Sequence, residues 1–387
     1  MQLLAISTRL SGFYFFYYAV VGTFMPFWSL YLQKQGFDFQ QIGILSSLAI
    51  ITRFFAPMIW GWIADRSGKR MLLVRIATCM EACIWFAIFV LPNSFQAIAG
   101  LMLIFSFFQN AILAQFESVT LFWLGKEKTE HYGKIRKWGS VGFIVAVFGV
   151  GAVLDIISVE KLPIILLGLS LLTCYWAFII AEPQTTRLVR QKLTPLWPVL
   201  NNRMIIAFFI IEFILLLSFA PFYSFYSNYL NLHGYSTGLI GFLWAIGVIA
   251  EILMFAKAAI FLQRMSWRFL VILCLCLTSL RWLVVGLFPE QLWLQLLVQT
   301  IHAFSFALFH VIAMKVIFQN FQADLQGRGQ AIYSTMWGLG VALGSLLAGH
   351  YWSIISGEIV FVVASVVVLM AIPFTFLLPH SMGKANL

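Results

Sequence analysis

Residues 24–31 read FMPFWSLY, and residues 219–226 read FAPFYSFY. The two octets lie 195 residues apart, and the reason for the repetition decides the fold. The chain has 387 residues, 62% of them hydrophobic and 10% charged, where soluble domains carry about 25% charged residues. Phe alone occurs 39 times. So much apolar surface cannot be kept dry by a core of this size, so the solvent is lipid. The five Cys are scattered without metal-type or redox spacing and read as packing residues.

Apolar runs of about 20 residues predict twelve spans. In the first half they lie near 8–33, 41–64, 71–91, 95–124, 137–156 and 162–181. In the second they lie near 204–231, 237–259, 268–287, 291–318, 328–350 and 356–379. The first run is longer than a signal-peptide core and lacks a cleavage site, so it is expected to stay as a membrane helix. The one long polar interval contains Pro183, Pro195 and Pro198, which oppose a continuous helix. The expected organisation is a six-helix bundle over 1–181, a cytoplasmic linker over 182–203 and a second six-helix bundle over 204–387. The fold class is thus all-α and polytopic, with twelve transmembrane helices in two parallel six-helix repeats.

Both octets fall late in the first span of their half, and the echo runs on. At an offset of 198, Ile42 and Gly43 match Ile240 and Gly241, Arg66 matches Arg264, and Arg70 matches Arg268. Spans 5 and 11 are both rich in glycine, as membrane helices that pack closely are. An even number of spans per half keeps the halves in the same orientation, the arrangement of transporters built from two rocking bundles around a central solute site. With both termini in the cytoplasm, the outer loops hold only Lys34 and Lys161, and Arg53 and Arg281 lie inside spans. The remaining twenty of 24 basic residues then fall on the cytoplasmic side, a strong positive-inside bias. The +10 net charge therefore reports topology and not nucleic-acid binding.

The loop after span 2 reads GWIADRSGKR, Gly61 to Arg70. It resembles the signature loop of the major facilitator superfamily, with Gly61, Asp65, Arg66, Gly68, Lys69 and Arg70 where that gating pattern places them. Its copy in the second half, AIFLQRMSWR, keeps only the basic residues. Within the superfamily the chain is similar to the phenylpropionate permease family, a relative of the lactose permease group. The similarity is sharpest in FMPFWSLYL, YGKIRKWGSVGF, IGFLWAIGVIAEILMFA, RWLVVG and IHAFSFALFH. The resemblance implies a monomeric twelve-helix proton symporter of the inner membrane that takes up a small organic solute. It needs no cofactor beyond the proton gradient and has the lipid bilayer, protons and the solute as its partners.

Ionisable groups in hydrocarbon cost at least about 2.5–3.5 kcal/mol each, so each needs a reason. Glu251 in span 8, Arg281 in span 9 and His302 in span 10 are an acid, a permanent cation and an imidazole. Glu251 and His302 fall at similar depth, and Arg281 lies shallower with a side chain long enough to reach inward. They form either a proton-coupling cluster or a static bridge. In the lactose permease group the corresponding residues serve solute binding and proton coupling. That group also has an acid three residues after the His and a Lys three before; here these are Ser305 and Gln299. Proton carriage then passes to Glu251. His310 lies eight residues after His302, about 80° round an α-helix, and is a proton relay or a packing residue.

Glu117 and Arg136 are opposite charges at places where lactose permeases bind their solute; the bland reading is a pair at the membrane flank. Arg53, in ITRFFAP, is the repeat-mate of Glu251 at an offset of 198. It either receives an anionic solute or pairs with Glu81. Phe54, Phe55, Phe27 and Trp28 could add an aromatic wall, and a small aromatic or hydrophobic monocarboxylate fits both features. A sugar or nucleoside symporter and a drug-proton antiporter remain as alternatives, as does a sensor built on a transporter fold. Enzyme chemistry is not supported: HExxH, paired catalytic Asp motifs and a Gly-rich nucleotide loop are all missing from the sequence.

Overall fold

The computed structural model describes residues 2–125, 131–183, 195–322 and 325–379. Residues 184–194, within the expected linker 182–203, lie outside the described residues. All regular structure among the described residues is helical, and the chain divides into two compact units, Met1–Arg190 with Tyr235–Phe242, and Gln191–Gly234 with Leu243–Leu387.

The first unit contains α1 (Gln2–Lys34), α2 (Phe39–Ile51), α3 (Ala56–Ser67), α4 (Arg70–Ala87), α5 (Phe95–Leu124), α6 (Tyr132–Ile157) and α7 (Leu162–Ile179). Span 2, expected as one helix, is broken by a 3₁₀ turn at Thr52–Phe54. Pro57 lacks an N–H and is tolerated only in the first turn of a helix, so α3 restarts around it. Local chemistry sets other ends. Asp38 and Gln41 form a capping box at the start of α2, and Gly68 takes the left-handed conformation that ends α3. The Glu182 carboxylate accepts the Met71 and Leu72 N–H groups, each at 2.9 Å. It thereby satisfies two otherwise unpaired donors at the positive end of α4.

In the second unit, α8 (Trp197–Leu200) precedes α9 (Arg203–Leu232), α10 (Thr237–Arg264), α11 (Trp267–Leu287), α12 (Leu292–His302), α13 (Phe309–Asn320), α14 (Gln326–Ile355), α15 (Gly357–Leu369) and α16 (Ile372–Thr375). The first residues of α10 belong to the first unit. Span 10, also expected as one α-helix, carries a π-helical segment at Ala303–Leu308 between α12 and α13. Span 12 breaks between α15 and α16 just before Pro373.

Among the described residues, eleven helices, some composed of two such pieces, are long and apolar enough to cross a membrane. The exception is α4, which carries Arg70, Arg75 and Glu81. It packs between α5 and α7 as the twelfth. The protein is therefore an all-α, multi-pass membrane protein.

The repeat written in the sequence is also a repeat of packing. In the first unit α6 lies on α1, where a Cβ on Gly142 would stand 2.1 Å from the Phe15 carbonyl oxygen. In the second, α14 lies on α9, where a Cβ on Gly340 would stand 2.8 Å from the Phe213 carbonyl oxygen. Both partners are displaced by the same 198 residues. Only glycine permits such approach of two helix backbones.

Candidate functional site

The polar groups of the second unit converge on Arg281. Its side chain is fully buried, and Nη1 donates to His302 Nδ1 at 2.9 Å while Nη2 donates to Gln299 Oε1 at 2.9 Å. Gln299 Nε2 donates to the Tyr226 hydroxyl at 2.6 Å, and Tyr226 donates to Gln295 Oε1 at 3.2 Å. On the other side of the imidazole, His302 Nε2 lies 3.7 Å from Glu251 Oε2. Glu251, His302 and Arg281 are thus brought together, and the long Arg281 side chain closes the gap in depth expected from the sequence.

A guanidinium has only donors, so His302 Nδ1 must accept. The imidazole is then neutral with its proton on Nε2, aimed at the Glu251 carboxylate. The second octet surrounds the cation. The guanidinium carbon of Arg281 lies 4.2 Å from the Phe222 ring centre and 5.7 Å from that of Phe219, and Tyr226 completes the polar chain. Trp282 adds a third face at 4.6 Å.

The π-helical segment follows His302 directly. Its i→i+5 turn rotates less per residue than an α-turn, which swings His310 back from the expected 80° offset. The rings of His302, Phe306 and His310 follow one another in near-parallel planes, 5.3 and 6.2 Å between centres and 13° at each step. His310 Nδ1 lies 3.0 Å from the Tyr333 hydroxyl on α14. Ser305 spends its hydroxyl on the Ile301 and His302 carbonyls, so no side chain there takes the place of an acid.

In the first unit, Arg136 Nε lies 3.8 Å from Glu117 Oε1, to which Tyr132 also donates at 3.2 Å. Arg136 Nη2 donates to the Tyr18 hydroxyl, and its guanidinium lies over the Tyr18 ring at 4.2 Å. Gly139 leaves room for that contact, since a Cβ there would stand 2.7 Å from Tyr18 and 2.8 Å from Arg136. Tyrosines thus flank a half-buried pair. Tyr14 extends it through Thr120 Oγ1 at 3.2 Å.

Arg53 sits in the 3₁₀ break of span 2, and its Nε donates to Asn110 Oδ1 at 3.5 Å. Asn110 in turn donates to Thr52 Oγ1 at 3.2 Å, and Thr52 and Ser106 share a 2.6 Å bond. Glu81 is buried, with the Gln109 amide at 3.2 and 3.3 Å from its oxygens. The aromatic wall divides: Phe54 and Phe55 are 56% and 42% exposed, whereas Phe27 and Trp28 are buried. Trp28 packs against Phe24, Tyr31 and Trp85.

The signature loop forms a local clasp. Arg70 Nη2 and Asp65 Oδ1 are 2.6 Å apart, and Arg70 Nη1 donates to Gln115 Oε1 at 2.7 Å. Arg66 lies over the Trp62 ring. Gly61 faces open space, and Lys69 precedes α4.

Sequence reasoning passed over Tyr18, Asn110, Tyr132, Tyr226, Gln295 and Phe306. Tyr226 was within reach, since it closes the repeated octet. The others carry no charge and stand out only once the helices are packed.

Comparisons with known proteins agree with this architecture. A family model described as "MFS_1 like family" matches residues 7–363. A probable 3-phenylpropionic acid transporter of Escherichia coli (strain K12) is 28% identical over 374 residues, covering 95% of each chain. A maltose permease of Geobacillus stearothermophilus is 28% identical over 354 residues, covering 87% of this chain and 86% of that one. A crystal structure of a mutant of the nucleoside transporter NupG superposes with a TM-score of 0.87 at 18% identity, covering 97% of this chain and 100% of that one.

Proposed function

From the premise that the chain belongs to the MFS_1 like family, and is a membrane transporter and not an enzyme, we propose that it is a proton-coupled symporter that imports a small aromatic or hydrophobic monocarboxylate. The observation that carries the coupling is the run from Arg281 through His302 to Glu251. Arg281 occupies Nδ1, so the imidazole cannot gain a second proton without breaking that bond. Glu251 is the group left to load and release one. Protonation and solute binding then shift the populations of the transporter's states.

The solute class is supported by Arg53 in the helix break and by similarity to a relative named for 3-phenylpropionic acid. A carboxylate would meet a planar fork of donors there. Glu117 and Arg136 are candidates to orient the rest of the solute. Lys and Arg placement supports an inner-membrane location with both termini cytoplasmic, and the transporter would act as a monomer.

Similarity to a maltose permease favours a second reading, a sugar symporter. Proteoliposomes with an imposed inward proton gradient separate the two. Uptake of labelled 3-phenylpropionate that is competed by other aromatic acids supports the first reading. Uptake competed by maltose and indifferent to the acids overturns it.

A further inference from the structure

One ionisable group in the second unit has no part in the chain around Arg281. Glu212, in the apolar run FFIIEFILLL of α9, has 0% exposure. Neither of its carboxylate oxygens has a hydrogen-bond partner among the described residues. An ionised carboxylate left without donors inside a protein carries a penalty of several kcal/mol, and a neutral carboxylic acid carries a smaller one. These surroundings therefore favour the protonated form.

Its surroundings can be placed from the packing of α9. One turn earlier, Phe208 stacks on Phe309 of α13 at 5.8 Å. The next residue, Phe213, meets Gly340 of α14. Glu212 thus lies where α9 meets α13 and α14, the helices that carry His310 and Tyr333. The other ionisable groups on these two helices are Lys315, whose ammonium lies over the Trp267 ring, Arg328 in the first turn of α14, and His350 and Tyr351 near its far end, whose rings pack on each other. On α15, Glu358 is engaged with His233, and α16 carries no ionisable group.

We propose that Glu212, with Tyr333 and His310, is a second proton-binding site in this bundle, divided from the Glu251–His302–Arg281 chain by the ring of Phe306. The division follows from the stack of His302, Phe306 and His310: a benzene ring between two imidazoles passes no proton by hydrogen bonds. Rotation of the Glu212 side chain onto Tyr333 opens a local relay. The Glu212 O–H bond breaks and its proton joins the Tyr333 oxygen. The Tyr333 proton moves to His310 Nδ1, leaving a carboxylate and an imidazolium. Proton binding at Glu212 stands without any solute; its use in transport rests on the proton-coupled reading above.

Infrared difference spectra of the full-length protein in proteoliposomes, taken across a pH jump, test the site. At neutral pH Glu212→Gln is expected to remove one carbonyl stretch of a protonated carboxylic acid. Tyr333→Phe, which deletes only a hydroxyl, is expected to shift that band. Identical carboxylic-acid bands in wild type and Glu212→Gln overturn the proposal. Should Glu212→Gln fail to fold, a band set unchanged in Tyr333→Phe overturns it instead. In the same vesicles, Glu212→Gln should keep solute exchange and lose about tenfold of proton-driven accumulation; undiminished accumulation removes Glu212 from coupling. If the wild type shows no proton-driven accumulation, the symporter reading fails while the infrared bands still decide the site.

Discussion

Nη1 of Arg281 lies 2.9 Å from Nδ1 of His302, and the direction of that bond fixes where the imidazole carries its proton. Asn places an amide oxygen close to the position of Nδ1, whereas Leu offers none. His302→Asn is therefore expected to keep the buried guanidinium satisfied and the protein folded. His302→Leu strands one more donor of a cation whose Nε already has no partner among the described residues. The cost is about 1–3 kcal/mol, read as a lower melting temperature in detergent. Equal stability of the two variants would show that the bond contributes nothing.

Glu251 faces the Nε2 proton of His302. Glu251→Gln keeps a hydrogen-bonding group of the same size and removes the ability to release a proton. The expected outcome is loss of uphill accumulation with solute exchange across the membrane largely intact. Normal uphill uptake by this variant would pass proton carriage to another group, with Glu117 as the next candidate.

Gly142 and Gly340 occupy the same place in the two repeats, and both face a backbone that cannot yield easily. Gly142→Ala puts a carbon 2.1 Å from a carbonyl oxygen, and overpacking of this kind costs about 1–3 kcal/mol or more. Gly340→Ala, at 2.8 Å, should cost less. Gly61→Ala is the control: nothing lies within 4 Å of its Cβ, and removing a helix glycine gains up to about 1 kcal/mol. Melting temperatures are expected to fall in the order Gly61→Ala, Gly340→Ala, Gly142→Ala.

These glycines show why so much of the fold was legible. Hydropathy sets where a chain enters lipid, and the 198-residue echo tied each half to the other before any contact was known. The breaks within spans 2, 10 and 12 were harder to read. Pro57 and Pro373 stand at two of them, but AFSFAL reads as ordinary apolar helix, and no residue within it marks the π-turn. In the candidate site, charges advertised themselves because lipid penalises them, so Glu251, Arg281 and His302 could be grouped by depth. The neutral partners Gln299, Tyr226 and Asn110 bear no such mark. Glu212 did carry the mark and was passed over, although it met the criterion applied to Glu251.

The topology expected from charge placement is open to direct test. A reporter fused after Arg190 is expected in the cytoplasm, and one inserted in the loop at 233–236 outside. The reverse pattern would invert the orientation argued from the basic residues.

Arg53 carries the prediction about the solute. Its guanidinium stands where a span is interrupted, with Asn110 on Nε, and a carboxylate could accept from its Nη groups as a fork. Lys keeps the charge and loses the planar geometry, so Arg53→Lys should weaken binding of the acid while leaving the protein folded. Arg53→Ala should cost more than about tenfold in affinity, which corresponds to 1.4 kcal/mol. The sharper comparison uses the wild type with an aromatic acid and its uncharged amide, two ligands of nearly equal shape. If Arg53 recognises charge, the acid binds at least about tenfold more tightly, and the preference disappears in Arg53→Ala. Equal binding of acid and amide would end the anion hypothesis, assign Arg53 to holding the helix break together, and turn the search toward neutral sugars.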